Sequence, residues 1–120
     1  MSRLFSVAGA ILLVGMVAYH GSGIVSISAD MTQSDAPNYL KNIFPVLFLN
    51  TSLYLATLAA FALLAASSSG AAARGLNALI AVSSFANAGL GAFLNEWTAA
   101  GVLGFIGMLF TAASLTVRQE

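Results

Sequence analysis

The sequence predicts an all-α integral membrane protein, a four-helix transmembrane bundle with both termini cytoplasmic. Three observations carry that expectation. Only 7% of the 120 residues are charged and 59% are hydrophobic, whereas a soluble domain covers its surface with roughly 25% charged residues. Residues 4–29, 42–73, 75–95 and 97–117 contain no Asp, Glu, Lys or Arg, and each stretch reaches the ~20 residues needed to cross a hydrocarbon core of about 30 Å. Finally, Arg3, Arg74 and Arg118, three of the four basic residues, stand at every second connector between these stretches.

Helices rather than barrel strands follow from the pattern within each stretch. A helix satisfies its backbone polar groups inside one segment. A barrel strand would alternate polar and apolar residues over ~10 positions, and residues 53–64 show no such alternation. The first helix is expected over residues 4–27. Met1-Ser2-Arg3 and the apolar run after it resemble a secretory signal, but the run is long and Ile27 fits a cleavage site before residue 30 poorly, so a retained helix is expected. An outer loop then covers residues 28–42. In it Ser34-Asp35-Ala36-Pro37 has the form of a helix start, from which Asn38 to Lys41 can continue for one or two turns along a membrane surface.

The second helix is expected over residues 43–66, with Pro45 in its first turn, where a missing N–H is harmless. Ser67-Ser68-Ser69-Gly70 breaks the pattern, and a connector runs on to Gly75. The third helix spans residues 76–94, Asn95-Glu96-Trp97 makes a tight turn, and the fourth spans residues 98–116. Four crossings put all three arginines on one side, opposite Lys41, Asp30, Asp35 and Glu96. Short cytoplasmic loops carry the Lys/Arg excess, so the arginine side is expected to be cytoplasmic in an inner (cell) membrane.

Lipid is as apolar as leucine, so helices associate in it through close approach at small residues. The expected faces are Ala8, Gly15 and Ala18 on the first helix, and Ala56 and Ala60 on the second. Ser84, Ala88 and Ala92 serve the third, and Ala100 and Gly104 the fourth.

Five polar groups fall at membrane depth or beside it: His20, Asn50, Tyr54, Asn87 and Glu96. Counting about 1.5 Å per residue places them in the half opposite the arginines, where they form a candidate ligand-binding group. The simpler reading gives His20 and Glu96 to the interface and Asn50 and Asn87 to hydrogen bonds between helices.

The chain has one histidine and no cysteine. No metal-ligand spacing, haem pair or thiol chemistry is expected, and no Ser/His/Asp set has a buried acid to orient its base. No cofactor and no enzymatic activity are expected, and zero net charge argues against nucleic acid.

In size and layout the chain resembles small four-helix inner-membrane proteins of bacteria, a likeness that rests on hydropathy alone. It shares its size with small multidrug transporters but has no acid in its first helix, where those carry an essential carboxylate. The leading expectation is therefore a non-catalytic accessory or assembly subunit that packs against a larger membrane complex or against copies of itself. The alternative is a transporter or binder of a small lipophilic or cationic ligand through the outer-half polar group.

Overall fold

The computed structural model describes residues 1–117, and its elements are all helices. Helix α1 (Ser2–Ser22) and helix α2 (Ile24–Gln33) are followed by α3 (Asn38–Ser67), α4 (Gly70–Phe93) and α5 (Trp97–Thr116). Four spans, Ser2–Gln33, Asn38–Ser67, Gly70–Phe93 and Trp97–Thr116, are long and apolar enough to cross a membrane. Arg118, part of the orientation argument, lies outside the described residues.

The helices are longer than the hydropathy boundaries. α1 and α2 are nearly one rod: Gly23 keeps right-handed dihedrals (φ −70°, ψ −13°), its N–H bonds His20 O at 3.2 Å, and its carbonyl takes the Ile27 N–H at 3.0 Å. The expected outer loop over residues 28–42 is mostly helix, with only residues 34–37 outside it. Asp30, Thr32 and Gln33 mark a departure from apolar surroundings, which is not a departure from helical geometry. α2 lies along the start of α3. Lys41 Nζ donates to Thr32 O at 3.2 Å across the pair, and Ser34 Oγ closes α2 by donating to Met31 O at 2.7 Å.

Pro45 therefore stands inside α3 rather than in its first turn. It leaves the Lys41 carbonyl without the usual helical donor. The connector expected to run to Gly75 shrinks to Ser68 and Ser69, because Gly70 starts α4 at φ +57°, a left-handed value open to a residue without Cβ. The α4–α5 turn is short as expected. Asn95 adopts φ 59°, the Glu96 N–H bonds Gly91 O at 2.8 Å, and the Asn95 N–H bonds Ala92 O at 3.1 Å. That pair of bonds is a Schellman ending, which places a left-handed residue where Asn is tolerated.

The four spans run up and down in a closed ring. α1 packs on α3 and α5, and α4 packs on α5 and α3, within extents of 58 × 22 × 18 Å. At 1.5 Å per residue α3 is about 45 Å long and α5 about 30 Å. The hairpin of α2 and early α3 accordingly overhangs the α4–α5 turn, and α2 buries no residue.

Leu13, Met16, Leu55, Leu58, Ile80, Leu103, Ile106 and Phe110 fill the middle, with alanines between them. The α4–α5 seam is a ladder of small residues: Gly91 approaches the Ala100 backbone, Gly104 approaches Ala88, and Gly107 receives the Phe85 ring. At the neighbouring α1–α5 seam, Gly9 of α1 receives Phe110 of α5. A Cβ on Gly9 would lie 2.7 Å from Phe110 Cζ, and Phe110 is fully buried with no room to retreat. Gly9→Ala should therefore destabilise the bundle by about 1–3 kcal/mol in detergent unfolding titrations. Gly15→Ala, where a Cβ meets nothing, should be neutral or mildly stabilising. Equal effects at the two sites would contradict this account of the α1–α5 contact.

Candidate functional site

The five polar residues singled out by the sequence are dispersed. His20, near the end of α1, faces α3. Its Nδ1 shares a 3.0 Å hydrogen bond with Ser52 Oγ, and its ring stacks on Phe48 with centroids 3.9 Å apart and planes at 16°. Gly23 makes room for this, since a Cβ there would come within 3.2 Å of Phe48 Cζ. The arrangement pins α1 to α3 through a half-buried imidazole. Among the described residues it has no carboxylate partner of the kind that orients a catalytic base.

Asn50 is exposed on the outside of α3, and Tyr54, one turn further along, is 40% exposed. Asn87 donates from Nδ2 to Ser83 O of its own helix at 2.7 Å rather than across an interface. Glu96 is exposed in the α4–α5 turn. Among the described residues no hydrogen bond joins any of the five to another, and no group of three or more His, Cys, Asp or Glu gathers to hold a metal.

The buried polar chemistry lies at the other end, near Arg3 and Arg74, in residues the sequence reading passed over. Ser6 Oγ is 2.8 Å from Asn77 Oδ1 and 3.1 Å from Ser2 O. Ser6 and Asn77 are 0% and 1% exposed, and Asn77 Nδ2 has no partner. One hydroxyl proton cannot serve both acceptors. If the amide is turned over, Nδ2 donates to Ser6, Ser6 donates to Ser2 O, and the amide oxygen becomes the unpaired atom. In either orientation one amide atom is left over. Further up α4, Ser84 Oγ is also buried without a partner.

Asn77 lines a cavity of about 320 Å³ where α1, α3, α4 and α5 converge at this end of the bundle. The cavity exists because the buried residues there are small: Ser6, Ala65 and Ala73 line it. Beside it, Arg74 Nη2 donates to Val117 O at 3.2 Å and Ser114 Oγ donates to Arg74 O at 3.2 Å, clasping α4 to α5. One signal for this site was available: Asn77 sits three and seven residues before Ile80 and Ser84, on the same helix face. Its burial needed the bundle's rotation to be known.

Comparisons with protein-family models, with curated proteins and with solved structures find no match.

The pairing of Ser6 with Asn77 has a measurable energetic signature. Ser6→Ala takes a partner from a buried amide and should cost about 1–3 kcal/mol. Asn77→Leu removes the amide itself and should cost less, and the double variant should be no worse than Asn77→Leu alone. A double-mutant cycle on detergent unfolding midpoints measures this, and strictly additive effects would contradict the pairing.

Proposed function

We propose that this chain is a multi-pass inner-membrane protein with its arginine-bearing end in the cytoplasm. In this reading it works without catalysis, as an accessory or assembly subunit packed against a larger membrane complex or against copies of itself. The observation that carries the reading is the outward face of α4. Ala71, Gly75, Ala78, Ala86 and Gly89 follow one another at helical spacing, interrupted only by Val82, and all are exposed. Among the described residues, an added Cβ at Gly75 or Gly89 meets nothing within 4 Å. Small residues in lipid-spanning helices concentrate where another helix approaches, and here the bundle itself does not use them.

Asn50 adds a second reason. An exposed amide on an apolar helix is costly in hydrocarbon unless it finds a partner. The filled middle of the bundle favours packing over passage of a ligand. The orientation rests on Arg3, Arg74 and Arg118 at every second connector against the single Lys41 on the opposite side, by the rule that the Lys/Arg excess stays cytoplasmic.

Two experiments test these statements. Because the chain has no cysteine, single Asp35→Cys and Ser69→Cys variants report topology directly. An impermeant maleimide applied to intact cells should label position 35 and spare position 69, and the reverse pattern would invert the orientation. For assembly, Gly75→Leu and Gly89→Leu should shift the native-gel species to lower mass without lowering the unfolding midpoint. Leu63→Ala, on an outward face of α3, should leave the species unchanged. A monomer in native membranes, insensitive to all three, would rule the assembly role out.

A further inference from the structure

Asn50 is a polar side chain of α3 that the bundle leaves unused. It stands seven residues after Ile43, about 10 Å along the helix, in a stretch with no Asp, Glu, Lys or Arg from residue 42 to residue 73. Its neighbours Thr51 and Ser52, and Thr57 two turns on, are satisfied. Thr51 Oγ1 donates to Leu47 O, Thr57 Oγ1 donates to Leu53 O at 2.9 Å, and Ser52 Oγ meets His20 at the α1–α3 seam. Asn87 turns back and donates to Ser83 O of its own helix. Asn50 is exposed and makes no such bond among the described residues.

The amide also faces a defined way. α3 buries Ser52, Leu55, Ala59, Ala62 and Ala65 against the other helices. Asn50 lies on the opposite side, in line with Ile43, Thr57 and Leu64 at steps of seven residues, and all four are exposed. Val46, Leu53 and Ala60 each follow three residues after a member of that line and are exposed as well. A repeat that alternates steps of three and four is the seam of a left-handed helix pair, and a single Asn within such a seam fixes its register and the number of helices.

The chemistry of the amide selects the partner. Lipid tails offer it neither donor nor acceptor, while a carboxamide is donor and acceptor in one group. Two copies of one chain share a topology, so a two-fold axis along the membrane normal sets α3 parallel to α3. Residues next to that axis meet their own equivalents. Any other partner needs a polar group at this depth and register; a second copy has one by identity.

We propose that α3 pairs with α3 of a second copy along this seam, the two Asn50 amides each donating to the other's oxygen. This rests on the assembly reading above and names the partner at a face separate from the small residues of α4.

The test uses the full chain in native membranes and its lack of cysteine. Thr57→Cys and Leu64→Cys, oxidised with copper phenanthroline, should each give a disulfide-linked dimer that a reductant dissolves. Leu63→Cys, about 100° round the helix from Leu64, should stay monomeric on the gel. In the cysteine-free chain, sedimentation equilibrium in neutral detergent should show Asn50→Leu weakening self-association about tenfold, the scale of interhelical amide hydrogen bonds in model helices. Asn50→Gln, which keeps donor and acceptor, should retain most of the affinity. The unfolding midpoint of Asn50→Leu at monomer concentrations should not fall, because the amide has no partner within the fold. Absence of cross-links at 57 and 64, equal cross-linking at 63, or self-association that Asn50→Leu leaves intact overturns the proposal. If the seam fails while Gly75→Leu and Gly89→Leu still shift the native-gel species, the assembly role stands without this partner; a monomer in native membranes removes both.

Discussion

The seating of Phe110 on Gly9 is the contact on which the rest of this bundle depends. The chain folds as two hairpins, α1–α2 with α3 and α4 with α5, and two seams join them. Where α1 meets α5, the largest fully buried side chain occupies the space of an absent one. Since hydrophobicity supplies no drive between helices in lipid, the contact area and closeness of such a fit decide whether hairpins stay together. The fit closes the ring and fixes the rotation of α1, and with it the residues that face inwards.

From that rotation the two ends of the molecule acquire different characters. Beyond Phe110 towards the arginines, the inward positions of α1, α3 and α4 are Ser6, Ala65, Ala73 and Asn77, too small together to fill the space between four helices. A cavity with a leftover amide atom results. Towards the far end α1 continues through Gly23 into α2, and the seam with α3 is held by the His20–Ser52 bond and the His20–Phe48 stack. The hairpin then runs on past the point where α4 and α5 have already turned, which is why α2 remains uncovered.

Small residues serve two purposes in this chain. Gly91, Gly104 and Gly107 let α4 and α5 approach closely, and Gly9 does so for α1 and α5. Gly75 and Gly89 on the other face of α4 are met by nothing among the described residues. The contrast lies within a single helix: the small-residue chemistry that builds the inner seam is repeated on the outside.

The number and order of the apolar helices were legible in the sequence, as was the tight turn at residues 95–97. Charges are so costly in an apolar medium that their spacing alone marks where helices can cross. Helix ends were less legible. Polar residues such as Asp30 and Asn38 report the surroundings of a segment, and hydrogen bonds along the backbone continue through them. The candidate site was the least legible. Depth could be counted along each helix at a constant rise, but depth does not say which way a side chain faces. Whether Asn50 turns outwards, Asn87 bonds its own helix, or Ser6 meets Asn77 across 71 positions of sequence depends on the rotation of each helix about its axis. Hydropathy by itself determined that these helices are apolar enough for a membrane. Only tertiary structure decided which polar groups meet, because rotation is set by the fit of side chains such as Phe110 against their neighbours.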